Sequence, residues 1–540
     1  MFAFHRKSRS LISVRDMDKI EFIQAEYEHD RSLTPEMEEE EDSQTNTQTP
    51  RQRRNLIMIY LLFLAEAIMA TSLQSQIATL LPSASRCLTT DTSFLRSILQ
   101  CAYYFGSAAG IVWGYAADTF GRRRIALVGL LGMSACCISM GFATSFLAFS
   151  LLRYVAGAIS SAATVSALTM LADVTHGSSN RSKIVARLPL VAVCGQMGPL
   201  LSNTIRHFAQ DHFHGVFVDY PGLAGQMACG LLVFSIGIAE VLLLDETLPT
   251  AQNTKEEHYA DCEKAAFLGQ SLVNDSQESL SISIIEALND DAAAPRTSEI
   301  SMFQMVTAPS VLLLLASFSI LSLHASTFEI LLPHMGHNES HSFGFGIPCS
   351  WLSPVMLVVK CLAALRVLHL VPFLVNNVGT LPVYRRISMI FPALYLIIPL
   401  MALAVSMTEA STIISAVFNT IATLIKTTLA GAAQVLVILL VFSAAPDAAS
   451  TGTLVGVISI SELFKALAVG VAGVSYFLSA EYSMAAVNGT LWAALATTAL
   501  VGAGITWKLR ESPRVGTDIP SECLTWQGMF DASSDDEHGF

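Results

Sequence analysis

Runs of about 20 mostly apolar residues, each long enough to cross the hydrocarbon core of a bilayer as a helix, recur twelve times along this chain. They fall at approximately 56–81, 94–117, 124–143, 146–172, 185–206 and 222–244, and again at 304–332, 349–375, 386–405, 411–442, 453–478 and 486–507. Inside lipid every backbone N–H and C=O must find a partner within the protein, so a spanning segment is a helix or part of a closed barrel. Barrel strands are about half this length, and the expectation is therefore an all-α membrane protein. Its twelve helices divide into two pseudo-symmetric groups of six.

Composition agrees with that reading and locates the polar parts. Only 14% of residues are charged and the mean hydropathy is +0.51, whereas soluble domains carry about 25% charged residues. Of the 44 acidic residues, 12 fall in residues 1–54, 12 in 245–300 and 7 in 508–540. The net charge of −13 therefore belongs to tails and a linker. The expected organisation is a disordered cytoplasmic tail (1–54), a six-helix half (55–244), an acidic cytoplasmic linker (245–303), a second six-helix half (304–507) and a cytoplasmic tail (508–540). Phosphate binding needs a concentrated Lys/Arg surface, so nucleic acid is not an expected partner. The ten cysteines show neither CxxC spacing nor paired histidine ligands, which argues against a disulfide framework or a zinc site. Free buried thiols are the expectation over a Cys87–Cys349 bridge.

Lys and Arg are retained on the cytoplasmic side of short loops. Fourteen basic residues, among them Arg51, Arg53, Arg54, Arg122–Arg124, Arg181, Arg385 and Lys508, lie on one side by the span count, against Arg86, Arg96 and Arg206 on the other. Both termini and the linker are thus expected in the cytoplasm. The sequon Asn338-Glu339-Ser340 falls outside.

The loop after span 2 reads Gly114-Tyr115-Ala116-Ala117-Asp118-Thr119-Phe120-Gly121-Arg122-Arg123-Arg124. Gly121 suits a tight turn, and Asp118 can accept hydrogen bonds from a helix N-terminus, which carries partial positive charge. The loop resembles the signature of the major facilitator superfamily, with Ala116 where Leu is usual and Thr119 where a basic residue is usual. The resemblance implies that Gly114, Asp118, Gly121, Arg122 and Arg123 form a gate that latches the cytoplasmic side. After span 8, Asn376 and Gly379 repeat the spacing of Asp118 and Gly121 without the charge.

Four further segments carry the likeness, which continues through spans 8 to 11 and covers about residues 55–507. Arg153 stands in apolar span 4, where a charge is costly unless it meets a partner or a water-filled cavity, and its place resembles that of the family's span-4 arginine associated with proton transfer. Gly198-Pro199 in span 5 resembles the family's antiporter motif; Pro removes a backbone donor and kinks a helix. Glu66-Ala67-Ile68-Met69-Ala70-Thr71-Ser72 in span 1 and Asp245-Glu246-Thr247-Leu248-Pro249 after span 6 resemble a fungal subfamily of drug:proton antiporter type, related to plant zinc-induced-facilitator-like proteins.

Glu66 and Arg153 are accordingly the candidates for proton coupling, either as a switch or as a permanent ion pair between spans 1 and 4. Lys426, Glu462 and Lys465 are further intramembrane charges, the last two on one helix face. Glu240, Glu329, Lys360 and Arg366 lie nearer span ends and are expected to snorkel toward headgroups. His334, His337 and His341 lack completing ligands, and no metal or cofactor is implied. The expected function is secondary active transport of a small organic solute coupled to protons, as export, with uptake or a non-transporting receptor as alternatives. The partners are solute, protons and lipid, and the protein is expected to act as a monomer. It is not expected to be an enzyme. The plasma membrane is the first expectation for location and the vacuolar membrane the second.

Overall fold

The computed structural model describes residues 49–73, 92–248 other than 177, 179 and 214, 307–337, 349–407, 412–445, 450–481 and 484–509. The tail before 49, most of the 245–303 linker, the segment after 509, Cys87, the sequon at Asn338 and His341 lie outside these residues, as do the side chains of His334, His337 and Cys349.

All regular structure among the described residues is helical. Span 1 is Pro50–Ser72, span 2 is Thr92–Ser107 followed by Gly110–Phe120, span 3 is Arg122–Phe142 and span 4 is Phe146–Val174. Span 5 comes in three pieces, Arg181–Val185, Leu188–Gly195 and Met197–His212, and span 6 is Leu223–Leu243. The second half has spans 7 (Pro309–His337), 8 (Cys349–Val378), 9 (Thr380–Met407), 10 (Thr412–Ala444), 11 (Thr451–Ile458 with Ser461–Glu481) and 12 (Met484–Lys508).

Eleven described stretches are long and apolar enough to cross a bilayer, and span 2 is the twelfth. The sequence predicts one helix over 94–117, but the structure breaks it at Ala108–Ala109, between Gly106 and Gly110, both poor helix formers. Span 11 breaks at Ser459–Ile460 directly opposite, and Ser459 Oγ donates to the freed Ala108 carbonyl at 3.3 Å. A side chain at the break in one half thus serves a backbone carbonyl at the break in the other, while also lying 2.6 Å from its own Gly456 carbonyl.

Lipid is as apolar as leucine, so helices in a membrane associate through close packing of small residues. A Cβ on Gly157 would collide with the Tyr103 carbonyl, and one on Gly106 with the Tyr154 carbonyl, so spans 2 and 4 pack backbone to backbone. Large apolar side chains such as Leu242 and Leu147 are left on the outer, lipid-facing surface.

The turns after spans 2 and 8 match. Gly121 (φ +102°) and Gly379 (φ +93°) both adopt the left-handed conformation that glycine tolerates. Each donates its N–H to the carbonyl four residues earlier, Ala117 and Val375. This is a backbone relic of the same unit in both halves.

Candidate functional site

At the arginine-rich end, spans 2 and 11 cross closely enough that glycines are required. A Cβ on Gly110 would stand 2.6 Å from Ser459 Cβ, and one on Gly114 would collide with the Gly452 carbonyl. This approach brings Asp118 to the N-terminus of span 11. Asp118 Oδ1 accepts from the Gly452 N–H at 3.0 Å, and Oδ2 from the Thr453 N–H at 2.6 Å and Thr453 Oγ1 at 2.9 Å. Those N–H groups belong to the first turn of a helix and have no partner within it.

Arg122 is fully buried and bridges Asp118, at 3.5 Å, to Asp173 at the end of span 4. Glu246 accepts from the Arg122 N–H at 3.0 Å and the Arg123 N–H at 3.2 Å, capping span 3. Thr247 Oγ1 closes the ring by donating to Asp173 at 2.9 Å. Asp173 was not singled out from sequence. An acid at the basic end of an otherwise apolar span is the signal that would have found it.

Gly198 and Pro199 shape the meeting of spans 1 and 5. Pro199 has no N–H to offer the Gly195 carbonyl four residues earlier, and Thr71 Oγ1 of span 1 donates to that oxygen at 3.0 Å. A Cβ on Gly198 would lie 2.7 Å from the Ile68 carbonyl oxygen. The helix interrupts at Gln196, so the kink is also the seat of span 1.

Mid-bundle, Glu66 Oε1 accepts from Tyr103 OH at 2.8 Å and from Ser160 Oγ at 3.0 Å, while the two hydroxyls lie 2.9 Å apart. Arg153, 1% exposed, lays its guanidinium over the Tyr103 ring, 4.4 Å from the centroid. Its Nη2 donates to the Ala70 carbonyl at 2.8 Å and Gln100 Oε1 at 3.2 Å. Among the described residues Glu66 and Arg153 form no ion pair; they share Tyr103, one through its hydroxyl and the other through its ring. Tyr103 and Ser160 complete the cluster and carry no charge that would mark them in a sequence.

The neighbouring Tyr104 turns to the second half, where Lys465 Nζ stands 5.9 Å from its ring centroid and 2.6 Å from Glu462 Oε1. Lys426 is fully buried in span 10, donating to the Ala325 carbonyl at 3.2 Å with Phe328 4.1 Å away. Glu240, expected to snorkel, is instead fully buried, and neither of its carboxylate oxygens has a hydrogen-bond partner among the described residues. Close packing of span 6 on span 3 keeps it from the surface.

The profile of the family described as Major Facilitator Superfamily matches residues 55–473. The major facilitator superfamily multidrug transporter mfsB of Aspergillus fumigatus is 23% identical over 434 residues, covering 70% of this chain and 71% of that one. Among solved structures, the human organic anion transporter MFSD10 (TETRAN) superposes with a TM-score of 0.58 at 15% identity, over 85% of this chain and 100% of that one. The proton:xylose symporter XylE does so with a TM-score of 0.60 at 13% identity, over 86% and 97%. These structural likenesses concern the fold.

Proposed function

The chain belongs to the Major Facilitator Superfamily and is a multi-pass membrane transporter, not an enzyme; from that premise we propose that it exports a small organic solute in exchange for protons. The observation that carries the proposal is the cluster of Glu66, Tyr103, Ser160 and Arg153. Ionisable groups within a membrane span mark proton relays and substrate paths, and this one combines a carboxyl, two hydroxyls able to pass a proton and a cation held by the same tyrosine. When Glu66 is ionised, Arg153 stabilises it through the polarised Tyr103; when a proton neutralises Glu66, that interaction weakens. A helix movement that changes the Tyr103 contacts therefore biases proton occupancy, and proton occupancy biases the movement. Glu66 and Arg153 act as a switch sharing a residue.

Asp118 and the residues bound to it form the gate. Their contacts join the two halves at one end, and rocking of one half against the other gives alternating access. Both termini and the 245–303 linker are read as cytoplasmic, which makes the Asp118 end the cytoplasmic one. Export is favoured by the multidrug relative and by the Gly198-Pro199 kink against span 1. The protein works as a monomer in the plasma membrane in this reading.

Flux in reconstituted vesicles under an imposed pH gradient is the test. Solute movement opposite to the proton gradient supports export by antiport. Movement with the protons assigns symport, and protein-independent flux alone assigns a receptor.

A further inference from the structure

Asp118 joins span 2 of the first half to span 11 of the second. In a chain of two related halves the symmetric contact joins span 8 to span 5. There Asn376 stands in the place of Asp118, exposed and with no hydrogen bond among the described residues. The start of span 5 nevertheless packs on spans 8 and 10 of the second half, so that side is closed by other means.

Arg181, the first residue of the short helix Arg181–Val185, stands over the Phe442 ring in the last turn of span 10, with its guanidinium carbon 5.1 Å from the centroid. Phe442 is 5% exposed, and Arg181 Nε is buried with no hydrogen-bond partner. Each partner is fixed in its own half. Tyr60 of span 1 donates its hydroxyl to the Ile184 carbonyl at 2.8 Å, and Ile184 and Val185 are buried. Phe442 belongs to the continuous helix Thr412–Ala444. The contact lies at the Asp118 end of the bundle, because only the loop between spans 4 and 5 separates Arg181 from Asp173.

The two contacts differ in what parting them costs. Separating Asp118 from span 11 leaves a carboxylate and first-turn N–H groups to be satisfied again. A guanidinium is weakly hydrated and stacks on an aromatic face without a hydrogen bond. When Arg181 leaves the ring, its Nε can take a water that it lacks here.

We propose that Arg181 and Phe442 form a second closing contact between the halves, on the side where Asn376 leaves the Asp118 contact without a counterpart. The inference rests on the reading of the Asp118 end as a gate, and adds to it a clasp of different chemistry that parts at lower cost.

Spin labels on Lys183→Cys and Ser443→Cys, exposed positions beside the clasp with one in each half, test it in the full chain with its native cysteines replaced and reconstituted in bilayers. Electron paramagnetic resonance then reads a short distance for the closed state and a longer one for the open state. Phe442→Leu and Arg181→Gln are each expected to raise the ratio of open to closed about threefold. The double variant should go no further than either single one, because both remove the same contact. Phe442→Tyr keeps a ring and should keep the original ratio, which a loss of packing alone would not explain. A monodisperse Phe442→Leu protein with an unchanged ratio overturns the clasp, and so does a double variant that multiplies the two effects to about ninefold. Asp118→Ala with the same labels separates the two readings. A raised ratio there with none in Phe442→Leu leaves the gate standing without Arg181, whereas one unchanging distance in every variant counts against the gate and the clasp together.

Discussion

The proposed gate and the interior of this bundle are built in opposite ways. At the gate, Asp118 has three donors from span 11, and Arg122 lies between two carboxylates. In the interior, Lys426 faces a carbonyl and a ring, while Lys360 and Glu329 have no direct polar partner among the described residues. A satisfied polar network in a low-dielectric setting is rigid, and a partly satisfied one is energetically exposed. The difference teaches that the residues around Asp118, in the proposed gate, suit the holding of one state of the molecule, whereas the interior charges are less fully satisfied.

The largest effect should come from Glu66, which belongs to the interior but is better satisfied than its counterparts in the second half. Glu66→Gln imitates the protonated acid at nearly constant shape, and we expect pH-driven accumulation to fall on the order of 100-fold with solute exchange retained. Unchanged accumulation in well-folded protein would eliminate Glu66 as the proton site.

At the gate, Asp118→Ala removes all three bonds to span 11. We expect the halves to part at this end and transport to slow about tenfold, a shift of about 1.4 kcal/mol in the balance of states. In a cysteine-free background, the labelling rate of a single cysteine at Val457 should rise; an unchanged rate would mean that glycine packing alone holds the closure.

That packing can be probed separately. Gly114→Val forces a branched side chain against the Gly452 carbonyl, and overpacking of this kind costs about 1–3 kcal/mol. Detergent-solubilised protein should show a lower Tm, and an unaltered Tm would show that the two spans separate readily. The smallest effect is expected at the span 5 kink. Thr71→Val removes the hydroxyl serving the Gly195 carbonyl, at about 1 kcal/mol. A loss of only a few degrees in Tm, with KM unaltered, would distinguish this seat from the solute site.

Some of this was legible without coordinates. The spans were, because hydropathy over about 20 residues is a local property, and so was the turn at Gly121, because a glycine ahead of three arginines has few other uses. The break in span 2 was not, since Ala108 and Ala109 are good helix formers and their carbonyl is met by Ser459 from the other half. Glu240 was misplaced because burial of a carboxyl depends on the neighbouring span, not on its distance from the helix end.

The sequence by itself determined the twelve spans, their division into halves and the residue types placed among apolar neighbours. Only the tertiary structure decided which of those residues meet. Asp118 and Thr453 are 335 positions apart, and Glu66 and Arg153 are joined through a tyrosine that no charge pattern marks. The physical reason is range: helix formation in lipid is settled within each segment by its own backbone hydrogen bonds, whereas pairing of side chains is settled by how glycines and small residues let separate helices approach.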